Sequence, residues 1–266
     1  MKYLKLYENH QTEEEIHRLC RKYEIEDYII NDDMSIDVNA NVNLDHNYFK
    51  KLPLNFNYIS GDFNCSNNNL ISLEGSPKEV GGSFYCNINL LTSLEGAPEK
   101  VGGNFGSDIN KLTSLKGVPK IIHGFFNCSN NKLTSLEGSP EKVGDYFGCS
   151  NNKLKTLEGA PKIVGDKFYC YDNELESLNG IPRVAKDVHL LHTGFEDLVK
   201  ILKYKGPNVY YYSTHNKAIH RYGLDTIYLP MFNRLLKKLN IDEVDDVKGF
   251  TIIKTVKEGE EYLNAN

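Results

Sequence analysis

Four histidines fall close together late in the chain: His189, His192, His215 and His220. His189 and His192, joined by one of the others, carry the ring nitrogens for a metal site or an acid–base pair. No Cys, Asp or Glu stands at an interval that would complete a ligand set, so an incidental surface pair competes with that reading. Asp145 and Asp166 occupy equivalent positions 21 residues apart, with Asp187 near the next one. Stacked carboxylates repel unless a cation counters them, but Lys167 and Lys186 are at hand and make a metal unnecessary. Cys20 lies one helical turn from His17, which pairs a thiol with an imidazole, yet its companions at helical spacing place it on a buried face.

The other five cysteines, Cys65, Cys86, Cys128, Cys149 and Cys170, fall at spacings of 21 or 42, which match no zinc signature. Rungs about 4.8 Å apart with parallel inward Cβ vectors keep thiols too far apart for the ~3.8 Å that a disulfide prefers. These cysteines are therefore expected to pack as small buried groups, reduced, in a cytoplasmic setting. The chain has no glycine-rich phosphate loop, no GxSxG elbow and no zinc box. No catalytic residue, metal ligand or cofactor is assigned.

What must position any site is a sentence of 21 residues written six times between about Phe63 and Leu178. Phe63, Phe84, Phe105, Phe126, Phe147 and Phe168 share one slot. Asn68, Asn89, Asn110, Asn131, Asn152 and Asn173 share a second, and Leu73, Leu94, Leu115, Leu136, Leu157 and Leu178 a third. Self-similarity at this period means stacked supersecondary units, a solenoid in which each unit touches only its neighbours. Within a rung, Phe84 and Cys86 form a short strand, Asn89 turns the chain, Leu91 and Leu94 point back inside, and Gly96 and Pro98 bend the return before Val101. An Asn at the corner can satisfy backbone groups that the turn removes from strand pairing, so the six asparagines are expected to form a ladder. Lys78, Glu99, Lys120, Glu141 and Lys162 alternate in sign one rung apart, which predicts a charge ladder on a wet face.

Ahead of the array, Thr12 and Glu15 form a capping box for a helix over residues 12–24, carrying Ile16, Leu19, Cys20 and Tyr23 on one face. A strand over Ile25–Ile30, a turn at residues 31–35 and one continuous alternating strand from Ile36 to Leu44 complete an N-terminal helix-hairpin cap over residues 1–40. Val42, Leu44, Asn47, Phe49 and Leu52 stand 21 residues before their repeat equivalents, so about eight rungs are expected over 41–198. The register slips by one residue at Pro182, and Val184, Val188, Leu190, Thr193, Phe195 and Leu198 read as a divergent last rung. An α/β C-terminal cap is expected over 199–266, with a helix over 199–206, strands at Asn208–Ser213 and Phe250–Val256, and a helix opened by Pro230.

Gly81, Phe84, Cys86, Asn89 and Leu91 fit the leucine-rich repeat frame LxxLxLxxNxL, and the wording Leu-Thr-Ser-Leu-Glu-Gly-Ala-Pro at residues 91–98 resembles short repeats of uncharacterised proteins encoded by tailed bacteriophages. The opening residues 1–8 and the stretch from Leu229 to Gly249 are similar to the ends of such proteins. The chain departs from the repeat-bearing bacterial ubiquitin ligases, since it lacks doubled Leu-Pro pairs and a following ligase-sized domain. The resemblance implies a curved right-handed coil whose parallel concave sheet binds protein.

On that sheet, alternation turns Asp62, Asn64, Tyr85, Asp108, Phe125, Asn127, Tyr146, Lys167, Tyr169, Tyr171 and Asp172 outward, with Ile88 and Ile109 stacked at one edge. Aromatic anchors on a polar surface are typical of protein interfaces, although tyrosine also suits a strand. Tyr85, Phe125, Tyr146, Lys167, Tyr169, Tyr171 and Asp172 are the expected protein-binding residues. The 266 residues carry a net charge of −5, which disfavours nucleic acid and anionic membrane, and no apolar run suits a signal peptide or a membrane span. A non-enzymatic protein-binding scaffold in the host cytoplasm is the first expectation. A small catalytic or nucleotide-handling module in residues 199–266, with the repeats as targeting arm, is a second. Self-assembly into a homo-oligomer is a third.

Overall fold

The computed structural model describes residues 11–175, 180, 182, 187–191, 208–212, 226–228 and 251–253. The chain opens with helix α1 (Glu13–Lys22), strands β1 (Tyr28–Ile30) and β2 (Ile36–Val38), then β3 (Val42–Asn43) and β4 (Phe56–Ile59). From there each turn of about 21 residues holds two short strands. These are β5 (Phe63–Asn64) and β6 (Glu79–Val80), β7 (Phe84–Tyr85) and β8 (Lys100–Val101), β9 (Phe105–Gly106) and β10 (Ile121–Ile122), β11 (Phe126–Asn127) and β12 (Lys142–Val143), and β13 (Phe147–Gly148) and β14 (Ile163–Val164). Then come β15 (Lys167–Tyr169), β16 (Asp187–Leu191), β17 (Asn208–Tyr212), β18 (Thr226–Tyr228) and β19 (Thr251–Ile253).

The result is a β-solenoid of about six turns with parallel sheets. One nine-stranded sheet runs β17-β16-β15-β13-β11-β9-β7-β5-β3, and the return arms build a five-stranded sheet β1-β2-β4-β6-β8 and a three-stranded sheet β10-β12-β14. The strands of the return arm were not expected from the repeat, which marks only their single inward residue: Val80, Val101, Ile122, Val143 or Val164.

The register is the repeat made physical. Phe84 pairs with Phe63 and Phe105, and Phe147 with Phe126 and Phe168. All six phenylalanines are fully buried, as are the leucines from Leu73 to Leu157. Neighbouring rings lie 5.0 to 5.8 Å apart between centroids. Each fully buried side chain of this size contributes about 1.5–3 kcal/mol, so the column supplies a core that runs along the described rungs. At the slipped register Phe168 pairs with Val188, twenty residues on, and Val188 then pairs with Val209. Strand β17 therefore continues the same sheet beyond residue 198.

At the N-terminus the capping box forms as expected, with Thr12 Oγ1 accepting from the Glu15 amide and the Glu15 carboxylate accepting from the Thr12 amide. Ile16 and Cys20 of α1 join the core below the first rung. The strand expected over Ile25–Ile30 begins only at Tyr28, because Glu24 and Asp27 adopt positive φ. The single strand expected from Ile36 to Leu44 is two strands in different sheets. β2 pairs antiparallel with β1 and parallel with β4, while β3 pairs with β5. Between them the chain turns a corner, held by the Asn39 amide on Asp27 and by Asn41 Oδ1, which accepts from the Asp62 amide.

Of the expected charge column, only Lys120 and Glu141 approach one another among the described residues, at 3.8 Å. The shorter pairs lie in other columns, Glu79 with Lys100 at 2.9 Å and Glu95 with Lys116 at 2.6 Å. Val184, Thr193, Phe195, Leu198, Leu178, the helix expected over 199–206, the helix from Pro230 and residues 1–8 lie outside the described residues. No described helix is long and apolar enough to cross a membrane.

Candidate functional site

Each rung presents three outward columns along the nine-stranded sheet, and the hydrogen bonds separate structural polar groups from those left for contact. In the column just before the buried phenylalanine, Asn41 Oδ1 accepts from the Asp62 amide, Asp62 Oδ1 from the Ser83 amide, Ser83 Oγ from the Asn104 amide, and Asn104 Oδ1 from the Phe125 amide. Short acceptor side chains thus cap the backbone of the following rung, since each such amide would otherwise go unpaired. At Phe125, Tyr146 and Lys167 the column changes to residues that cannot do this. The run Asn41, Asp62, Ser83, Asn104 is visible in the sequence, where Asp62 reads only as an outward position of the sheet. Asn64 and Asn127 are likewise drawn into local structure, accepting from the amides of Ser66 and Ser129 two residues on.

Where capping stops, rings gather. Tyr85 and Phe125 lie 6.5 Å apart between centroids, Phe125 and Tyr146 stack at 4.7 Å, Tyr146 and Tyr169 meet edge to face at 5.8 Å, and Tyr169 and Tyr171 do so at 6.1 Å. Five of the seven expected binding residues therefore form one connected aromatic strip, each ring half-buried. Gly106 makes room for it: a Cβ there would stand 3.0 Å from Tyr85 Cδ1, so the Tyr85 ring lies across that glycine. Lys167 shares the column of Phe125 and Tyr146, one rung further on. Asp172 does not lie on the sheet face. It occupies the left-handed turn position that Asn67, Asn130 and Asn151 hold in other rungs.

Asp108 sits on the same face, two residues after Gly106. Burial holds its carboxyl above the ordinary aspartate range. Burial, and then the Asp108 charge, raise the Tyr146 phenol as well. The Asp108 charge reaches the Tyr146 phenol and the buried Cys86 and Cys128 thiols, and Asn87 and Ser129 hold the equivalent position in the rungs on either side. A raised carboxyl favours the folded state below its unfolded pKa and loses that contribution as pH rises through the folded value. Asp108→Asn should therefore be more stable than the native chain at neutral pH, and should flatten the fall in stability as pH rises above the ordinary aspartate range. Urea unfolding across that rise checks this, and a loss of stability at neutral pH would mean that the carboxylate is engaged.

The ladder asparagines line up. Asn89 Nδ2 donates to the carbonyls of Cys65, Cys86 and Asn87, and its Oδ1 accepts from the Leu70 amide. Asn68, Asn110, Asn131, Asn152 and Asn173 repeat this pattern. The cysteine column has its own logic. Cys65 and Cys128 point their thiols at the carbonyls of Tyr85 and Gly148, 3.4 and 3.3 Å away, and Ser107 does the same toward Asn127 at 3.1 Å. Burial pushes the Cys65 thiol up to about 12 and raises the others, so these are unreactive packing groups. Cys20 is buried and raised in the same way, and His17 bonds the Tyr28 hydroxyl, so the geometry gives this pair no activated thiolate.

Among the described residues, no three His, Cys, Asp or Glu side chains converge as a metal site would require. The backbone of His189 lies in β16 beside Tyr169, whereas His192, His215, His220 and Lys186 lie outside the described residues, as does most of 199–266. Comparison of the chain with protein-family models, curated proteins and solved structures finds no match.

Proposed function

We propose that this chain is a non-enzymatic scaffold of the leucine-rich repeat kind, of the phage-encoded type it resembles, that holds a host or viral protein against the outward face of its nine-stranded sheet. The observation that supports this best is the change in the capping column. A run of polar side chains that secure the next rung's backbone gives way at Phe125 and Tyr146 to aromatic rings, which forgo that bond. Large, rigid, half-buried rings are the residues on which interface energy concentrates, and a preorganised sheet loses little entropy on docking.

The test is affinity capture with the native chain and with the double variant Tyr146→Ala, Tyr169→Ala, followed by mass spectrometry. The variant should remain folded at a cost of about 1.5–4.5 kcal/mol for the three lost ring pairs. A partner retained by the native chain should fall by about tenfold or more in the variant. Equal capture by both would remove this face as the binding surface.

A further inference from the structure

The rungs break their own pattern a second time, in the turn after the outer strand. Asn67, Ile88, Ile109, Asn130, Asn151 and Asp172 stand at equivalent positions with left-handed backbone, φ between 51° and 56°. Asn and Asp adopt that conformation at little cost because their short polar side chains bond locally, whereas a β-branched side chain crowds its own backbone. Ile88 and Ile109 take it in adjacent rungs, and they remain 39% and 47% exposed. They therefore carry strain while leaving two-fifths to nearly half of their surface in water. Strain of that kind persists where surrounding structure holds it for a purpose.

The two isoleucines flank Asp108. Ile109 follows it directly, and Ile88 occupies the same turn one rung earlier. On the same face the Tyr85 ring lies across Gly106, two residues before Asp108, and the strip continues from it into Phe125 and Tyr146. Among the described residues Asp108 belongs to none of the ion pairs, which are His46–Asp45, Lys100–Glu79, Lys116–Glu95 and Lys120–Glu141. A carboxylate partly withdrawn from water, between electron-rich ring faces and aliphatic side chains, complements a cation carried on an apolar stem.

We infer that the recess around Asp108 receives a lysine or arginine side chain from the partner, its charged head on the carboxylate and rings, its stem along Ile88 and Ile109. This rests on the outer sheet face being the protein-binding surface, and it names the chemistry of the contact. A charge-assisted bond to a partly buried carboxylate gives such a contact direction as well as strength.

The probe is the peptide acetyl-Leu-Arg-Leu-amide, with its neutral citrulline counterpart, titrated into the full chain carrying labelled tyrosine and phenylalanine rings and followed by NMR. The Tyr85, Phe125 and Tyr146 signals should shift with the arginine peptide. Binding should weaken by about tenfold with citrulline or in Asp108→Asn. Ile88→Asn and Ile109→Asn should each weaken binding while raising the melting temperature by about 2–4 °C, because the strain is relieved. A lowered melting temperature would show these isoleucines to be structural and would overturn their part in the recess. No ring shift, or equal shifts from the two peptides, would overturn the cation contact. Loss of capture in Tyr146→Ala, Tyr169→Ala alongside such a result would leave the face as a protein-binding surface that uses no cation. Unchanged capture would remove both.

Discussion

Asn152→Leu should destabilise the chain by more than about 3 kcal/mol, several times what its small change in volume would cost. Asn152 Nδ2 donates to the carbonyls of Cys128, Cys149 and Ser150 at 3.1, 3.1 and 3.2 Å, and Oδ1 accepts from the Leu133 amide at 2.9 Å. Leucine fills the space but leaves the Leu133 amide and the corner carbonyls without that partner, where the side chain is already buried. Each buried group left unpaired costs about 1–3 kcal/mol, and here at least two are affected. Because Asn152 ties its own rung to the one before it, the loss should appear as a local opening as well as a lower urea midpoint. Hydrogen exchange at Leu133 and its neighbours reads the first, and equilibrium unfolding reads the second. A change under about 1 kcal/mol would mean that water replaces the ladder at no great cost.

Gly117→Ala should be comparably damaging, at about 3 kcal/mol or more, for steric reasons. Gly117 has φ +103°, beyond where an L-residue settles even in the left-handed region, and a Cβ there would stand 2.1 Å from the Leu94 carbonyl oxygen of the preceding rung. Neither the backbone nor that carbonyl can yield without moving two rungs apart. Gly106→Ala is the internal control: its Cβ meets the edge of the Tyr85 ring at 3.0 Å and Asn87 Oδ1 at an ordinary 3.5 Å, so its cost should stay at about 1 kcal/mol. Thermal unfolding of the two variants side by side measures the difference. Equal melting temperatures would show that the rungs can slide at this turn.

Much of the scaffold was legible before any coordinates. The period of 21 placed Phe84, Cys86, Asn89, Leu91 and Leu94 in register with their neighbours, and the structure buries all five. The aromatic strip was legible in the same way, since strand alternation alone turns Tyr85, Phe125, Tyr146, Tyr169 and Tyr171 outward. Asp172 was misplaced because spacing does not show where a strand ends and a left-handed turn begins. The strand from Ile36 to Leu44 was drawn too long for a related reason. Alternation continues unbroken through the corner at residues 39–41, so Val38 and Val42 look like one face although they serve different sheets.

By itself, then, the sequence determined the stacking, since identical residues at a fixed interval can bury themselves only by lying on one another. It also determined which columns are apolar, and that the corner asparagines must find backbone partners. The tertiary structure decided which polar side chains are consumed in capping the next rung and which remain for contact, because that depends on where each amide points. It alone set Ile88 and Ile109 in strained turns beside a half-buried carboxylate. Residue order carries composition and period, while dihedral angle and desolvation exist only once rungs are packed against one another.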